Sequence, residues 1–316
     1  IPMIRFSIVV FLSFLSVSSA VAKLNVVTTT EDLSALAREV GGGRVEAVSI
    51  AKGYQDPHFV EAKPSYLLKL KRADLFIQGG LELESGWAPA LLAGARNPRI
   101  LPGTPGFLDA SEDCEILEKP KGPVDRSAGD VHPLGNPHFW LDPGNGRHIA
   151  RNIARKLSAL DPEGAKEYEG NLARFEAALS AKEKFWDKEF GDLKGVRAVT
   201  YHNSWPNFTR RFGIEVVDFV EIRPGIPPAP AHVQALISRM GKERIPLLLI
   251  EPYFDEKLPR KIARETGAEL VILPPSVGAA PGIGSYLDLF DFDLRRIKSA
   301  KAADGCRPSI ARNSAA

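Results

Sequence analysis

Six histidines are spread through the 316 residues: His58, His132, His138, His148, His202 and His232. Three of them stand near the points where runs of β-forming residues give out. His58 closes "GYQDPH" a few residues after "VEAVSI", His138 lies in "GNPHFWLDP", and His202 ends "RAVTYH". Imidazole nitrogen suits Zn2+, Cu2+, Ni2+ and Fe2+, and three neutral rings from separate loops make a workable ligand set. Pro57 and Pro137 precede two of the three and restrict the loop backbone, which lowers the entropy lost in fixing a ligand. A lone histidine in such a place is more often a packed hydrogen-bonding residue, so spacing alone leaves the trio open between packing and metal binding. His148 in "GRHIARNIARK" and His232 in "APAHVQAL" fall inside helical patterns, where a packed or solvated ring is expected. His132, in the turn-rich "SAGDVHPLGNPH", is left out of the ligand set.

The elements that must position these residues alternate between strand and helix. "LNVVTT" (24–29) reads as a strand and "EDLSALAREVG" as a helix, with Thr29 and Asp32 offering a capping box. "VEAVSI" (45–50) and "DLFIQGG" (74–80) are strands on either side of the helix "KPSYLLKLKRA", whose Pro64 suits a first turn. From Asn145 to Lys194 the pattern turns almost wholly helical, broken at Asp161-Pro162. Apolar Tyr168, Leu172, Phe175 and Leu179 then recur at helical spacing. Strands return at 197–202, 214–220, 246–251 and 269–273, separated by helices, and "YLDLFDFDLRRIKSA" closes as a helix. The expected fold class is α/β: two lobes, each a parallel sheet flanked by helices, joined by a long connecting helix. The expected divisions are an N-terminal lobe over 23–144, linker helices over 145–194, a C-terminal lobe over 195–300 and a disordered tail over 301–316. Ligands of such folds bind at the carboxyl ends of the strands, so the site is sought in the cleft between the lobes.

Residues 1–22 carry Arg5, an apolar run from Phe6 to Val17 and the small-residue end Ala20-Val21-Ala22. These are the parts of a secretory signal peptide, and the run falls short of the ~20 residues a spanning helix needs. A soluble, exported, periplasmic chain starting near Lys23 is expected. Hydrophobic residues make up 44% and charged residues 25%, which affords a sizeable core. The formal charge of +2 falls to +1 without Arg5, and no basic stripe is visible, so nucleic acid is not an expected partner. Cys114 and Cys306 lack CxxC spacing; they could pair in an oxidising compartment, and neither reads as a metal ligand or nucleophile.

Several ordered segments resemble the ZnuA and TroA type family, the substrate-binding proteins of ABC importers that carry zinc or manganese. "DPHFVEAKPSYLLKLKRADLFIQGGLELE" is similar to the family's first histidine box, "NPHFWLDP" to its "HxWLDP" box, and "TYHNSWPNFTRRFGIEV" to its third. The likeness runs from about residue 24 to 298. It implies that His58, His138 and His202 are metal ligands and that the cargo is handed to a membrane ABC permease. The family's usual aspartate does not carry over, because the loop after the last strand reads "LPPSVGAAPG", with Pro275 or Ser276 in its place.

Three readings of that gap stand side by side. Glu251, ending "LLLIE" beside the last strand, could supply a carboxylate; water could fill the position; or high affinity has been lost. Trp140 and Asp142 read as support for the site, with a helix cap an equal reading for Asp142. Before the second box only His132 is present, so an accessory metal-gathering loop is absent or rudimentary. Three histidines favour Zn2+ over Mn2+, since manganese sites lean towards oxygen. The expected protein is a monomer that is not an enzyme. Its alternatives are an exported zinc hydrolase using a three-histidine open site and a metal-binding protein without a transport role.

Overall fold

The computed structural model describes residues 23–122, 132–222 and 225–305. The signal-peptide reading, Cys306 and the tail from 306 onward lie outside the described residues.

The first sheet contains β1 (Leu24–Thr28), β2 (Val45–Ser49), β3 (Leu75–Gln78) and β4 (Phe107–Asp109), parallel throughout and ordered β2-β1-β3-β4. The second contains β5 (Arg197–Thr200), β6 (Glu215–Phe219), β7 (Leu247–Ile250) and β8 (Glu269–Ile272), ordered β6-β5-β7-β8 and again parallel. In each sheet the chain steps to one side of its first strand and then crosses to the other, so the loops at the carboxyl ends diverge there and leave a crevice. The helices are α1 (Glu31–Gly41), α2 (Pro64–Arg72), α3 (Ala88–Ala95), α4 (Pro143–Leu160), α5 (Ala165–Glu189), α6 (Pro206–Phe212), α7 (Pro230–Glu243), α8 (Lys257–Thr266) and α9 (Tyr286–Gly305).

Sequence periodicity passed over α3 and β4. The α3 segment "APALLAGA" is uniformly small and apolar, so it shows no polar face, and β4 has only three residues. Helix α4 starts at Pro143, two residues ahead of the expected Asn145, because the Asp142 carboxylate caps it, accepting the Gly144 N–H at 2.7 Å. Helix α9 runs through Gly305, so residues 301–305 are helical, against the expectation of a disordered tail from 301.

The capping box expected at Thr29 and Asp32 does not form. Thr30 occupies the cap without a side-chain bond, and the Thr29 hydroxyl donates to Glu84 at 2.6 Å. Asp32 is wholly buried and reaches the C-terminal lobe, accepting from the Ser276 hydroxyl and from the Val277 N–H at 3.0 Å. Capping would leave that carboxylate half in water; here it satisfies two donors that would otherwise be buried without partners.

Apolar packing is continuous across the molecule. One cluster joins Val26, Leu36 and Leu75 of the first half to Trp186, Phe208, Leu247 and Phe290 of the second, with α1, α4, α5 and α9 between the sheets. Two further clusters fill the outer faces of the sheets. The Tyr286 hydroxyl of α9 donates to the carbonyl oxygens of Trp140 and Asp142, 146 and 144 residues earlier. Backbone also meets backbone: a Cβ on Gly53 would lie 2.0 Å from the Val277 carbonyl oxygen and 2.7 Å from the Ala279 nitrogen.

Candidate metal centre

His58, His138 and His202 converge from three loops, each placed by local chemistry. His58 follows β2 in an Asx-type turn, where Asp56 Oδ1 accepts the His58 N–H at 2.9 Å and pairs with its ring Nδ1 at 2.7 Å. The Trp87 indole holds that turn from below, donating to the Pro57 carbonyl at 2.9 Å. His138 lies in a tight turn before α4, its N–H taken by Asn136 Oδ1 at 3.0 Å, and its ring packs against Trp140 at 5.2 Å between centroids. His202 stands just beyond β5, and its Nδ1 pairs with Glu221 Oε2 at 2.8 Å. Glu221 sits just beyond the adjacent strand β6 and is itself held by the Gly225 N–H at 2.9 Å.

The ring centroids are 5.1 Å (His58 to His138), 5.5 Å (His58 to His202) and 5.7 Å (His138 to His202) apart. One nitrogen from each lies within 4.8 Å of the others, and all three residues are buried. Tetrahedral ligation with bonds of about 2.05 Å needs nitrogens roughly 3.3 Å apart, so a small inward movement of the rings suffices. The His58 Nε2 and both His138 ring nitrogens are buried without a hydrogen-bond partner. Orphaned ring nitrogens of this kind are rare in folded proteins, and a cation at the centre would satisfy one from each ring. With Nδ1 engaged by Asp56 and Glu221, His58 and His202 present Nε2 to the centre, the arrangement that fixes tautomer and orientation at metal-binding imidazoles.

The electrostatics differ from ring to ring. Burial, then the neighbouring histidines, holds His138 well below the usual imidazole range, so it stays neutral and able to coordinate. Burial alone would depress His202 as well, but the Glu221 hydrogen bond and the charges of Glu251, Glu221 and Asp56 raise it instead. Burial also pushes Asp56 up, and its hydrogen bond and charge interaction with His58 overcome this and hold it low.

Glu251 stands just beyond β7, next to β8 as expected from the strand order. It is fully buried; Oε1 accepts from the Trp205 indole at 3.0 Å, while Oε2 has no partner. Burial raises its carboxyl to about 7 against the opposing charge of His202. Ser276 turns its hydroxyl to Asp32, and the Pro275 carbonyl accepts the Trp140 indole N–H at 3.0 Å, so neither side chain supplies a ligand atom. Asp142 serves as helix cap and also faces Arg210 at 3.5 Å. His132 lies close by, 5.3 Å from His58 between ring centroids, with Nδ1 on the Leu81 carbonyl. His148 is part-buried in α4, and His232 bonds the Phe219 carbonyl at 2.9 Å. Burial pushes the Cys114 thiol up to about 12, which leaves no reactive thiolate.

Two carboxylates escaped the sequence reading, Asp56 and Glu221. Asp56 was legible in principle, because an aspartate two residues before a histidine closes an Asx turn onto its N–H. Glu221 becomes significant only once β6 is known to lie beside β5.

Two α/β lobes meeting over a buried cluster of imidazoles define a substrate-binding protein of the metal-importing kind. The chain belongs to the family described as zinc-uptake complex component A, periplasmic, which it matches over residues 26–300. Proteins of this family are substrate-binding components of metal ABC importers and not enzymes, which sets aside the hydrolase. The chain is 26% identical to the metal ABC transporter substrate-binding lipoprotein ScbA of Streptococcus cristatus, over 89% of this chain and 90% of that protein. It is 27% identical to the manganese ABC transporter substrate-binding lipoprotein PsaA of Streptococcus pneumoniae, with the same coverage. A crystal structure of ZnuA shares the fold with a TM-score of 0.72 at 24% identity, covering 88% of this chain and 99% of that one. A manganese-bound periplasmic metal-binding protein from Candidatus Liberibacter asiaticus superposes with a TM-score of 0.70 at 19% identity, covering 88% of this chain and 100% of that one.

Proposed function

We propose that this protein is exported by the signal peptide at 1–22, captures Zn2+ between its lobes as a monomer and delivers it to a membrane ABC permease. His58, His138 and His202 are the ligands in this reading, and the fourth position falls to Glu251, which lies outside the group of three mutually close nitrogens, or to water. The observation that carries it is the convergence of three buried imidazoles, of which His58 and His138 each turn a nitrogen without a hydrogen-bond partner towards the others. Three nitrogens and one carboxylate suit zinc; manganese prefers a larger share of oxygen. Mn2+ is the second reading, favoured by relatives named as manganese transporters. Titration of the chelator-stripped mature chain with each metal, and of His202→Ala, decides between them. One zinc bound per chain, tighter than manganese and lost or greatly weakened in the variant, is the expected result. Preference for manganese would overturn the zinc assignment, and no tight binding of either would overturn the site.

A further inference from the structure

The lobes are fastened to each other on two sides of the histidine cluster, and the two fastenings differ in kind. On one side lie the buried Asp32 bonds to Ser276 and Val277, the Trp140 bond to Pro275 and the backbone contact at Gly53. The space there, between Thr30, Pro57, His138 and Tyr253, amounts to about 10 Å³, no more than a single water needs. That side offers a hydrated cation far less room than the other.

On the other side a cavity of about 190 Å³ opens onto the cluster, with Glu118, His132, Asn136, His138, His202 and Glu221 in its wall. It has room for several waters. One carboxylate oxygen bridges its rim: Glu118 Oε2 accepts from Asn136 Nδ2 at 3.0 Å and from Asn203 Nδ2 at 2.7 Å. Asn136 also donates to the Asn203 carbonyl at 2.9 Å. Asn136 is the residue whose Oδ1 holds the His138 N–H, and Asn203 directly follows His202. The bridge therefore ties together the loops that carry two of the three imidazoles, one from each lobe.

We propose that the Glu118, Asn136 and Asn203 bridge is the gate through which the cation reaches and leaves the cluster, a reading that rests on the metal-binding function above. Glu118 is exposed, so water can take the place of each bond as it opens, unlike the buried bonds of Asp32. Its backbone sits at φ +54°, a region that costs a non-glycine residue energy and that recurs at switch segments.

The test is stopped-flow zinc exchange against a fluorescent chelator, using the mature full-length chain, Glu118→Ala, and Asp32→Asn as the opposite-side reference. Glu118→Ala is expected to speed both uptake and release about ten-fold, the scale of one charge-assisted hydrogen bond, while Kd moves less than about three-fold. Asp32→Asn is expected to leave both rates unchanged. Should Glu118→Ala fail to fold, Asn203→Ala removes one of the bonds and is expected to accelerate exchange in the same sense. Unchanged rates, or faster release alone with Kd weakened in step, would overturn the gate. A wild-type chain that takes up no zinc would instead overturn the function reading, and that result is read before any variant is compared.

Discussion

Glu221 grips His202 by the ring nitrogen that faces away from the cluster, at 2.8 Å, and Asp56 does the same to His58 at 2.7 Å. Each carboxylate selects the tautomer that leaves Nε2 pointing inward. His138 has no such partner. Its orientation rests on packing against Trp140 and on the backbone turn held by Asn136.

Replacing Glu221 with Ala should weaken zinc binding about 10- to 100-fold, the usual effect of losing a carboxylate behind a metal-binding imidazole. Glu221→Gln retains an oxygen acceptor and should lose less. Competition with a chelator of known affinity measures both, and equal loss in the two variants would show that charge, not hydrogen bonding, is what matters.

The Trp205 indole donates to Glu251 Oε1, so a metal drawn to Oε2 must change the electrostatic surroundings of that tryptophan. Zinc addition should shift tryptophan emission in the wild type. The part of the shift due to Trp205 should vanish in Glu251→Ala, together with about ten-fold or more of the affinity, on the scale of lost hydrogen bonds to charged groups. Full affinity in Glu251→Ala would assign the fourth position to water.

Burial raises the Asp32 carboxyl from 3.8 to about 7. Between these values the folded chain holds a proton that the unfolded chain releases, so this contribution to stability is complete below about pH 4 and declines as pH rises through about 7. His138 works in the opposite sense, because a depressed imidazole loses stability as pH falls below the unfolded value of 6.5. The comparison of metal-free wild type with Asp32→Asn isolates the first effect. Relative to the variant, the wild type should become less stable from pH 4 to pH 7 by a few kcal/mol, since each tenfold difference in proton affinity between the folded and unfolded chain is worth about 1.4 kcal/mol. Melting curves across that range test it, and a difference independent of pH would refute the burial argument.

Gly53→Ala pushes a methyl group against the backbone of residues 277–279. Neither backbone can turn aside as a flexible side chain would, so the expected cost is about 1–3 kcal/mol. A lower melting temperature, with zinc stoichiometry still one, is the outcome to look for.

The parallel strands, β4 apart, and the three converging histidines were legible because strand ends and proline-flanked loops leave local marks in the sequence, while the order of the strands was not. What governs the lobes' relationship was not. Asp32 reads as a helix-start residue from its neighbours alone, and only the position of Ser276, 244 residues on, reveals its real bond. Glu118 and Glu221 likewise carry no local signature, since each acts on a residue that is distant in the chain or adjacent only through strand pairing. Helix α3 escaped because a segment of small apolar residues has no contrast between faces for periodicity to detect.

Helix α9 supplies Tyr286, Phe290 and Leu294 to the core that also contains Val26 and Leu36. A growing chain therefore holds an unfinished interior until almost its whole length is available, and its first hundred residues lack the partners that complete their core. Shortening the chain before residue 286 would leave both lobes with an open apolar flank, so the last described helix acts as the keystone that commits the whole molecule to folding at once.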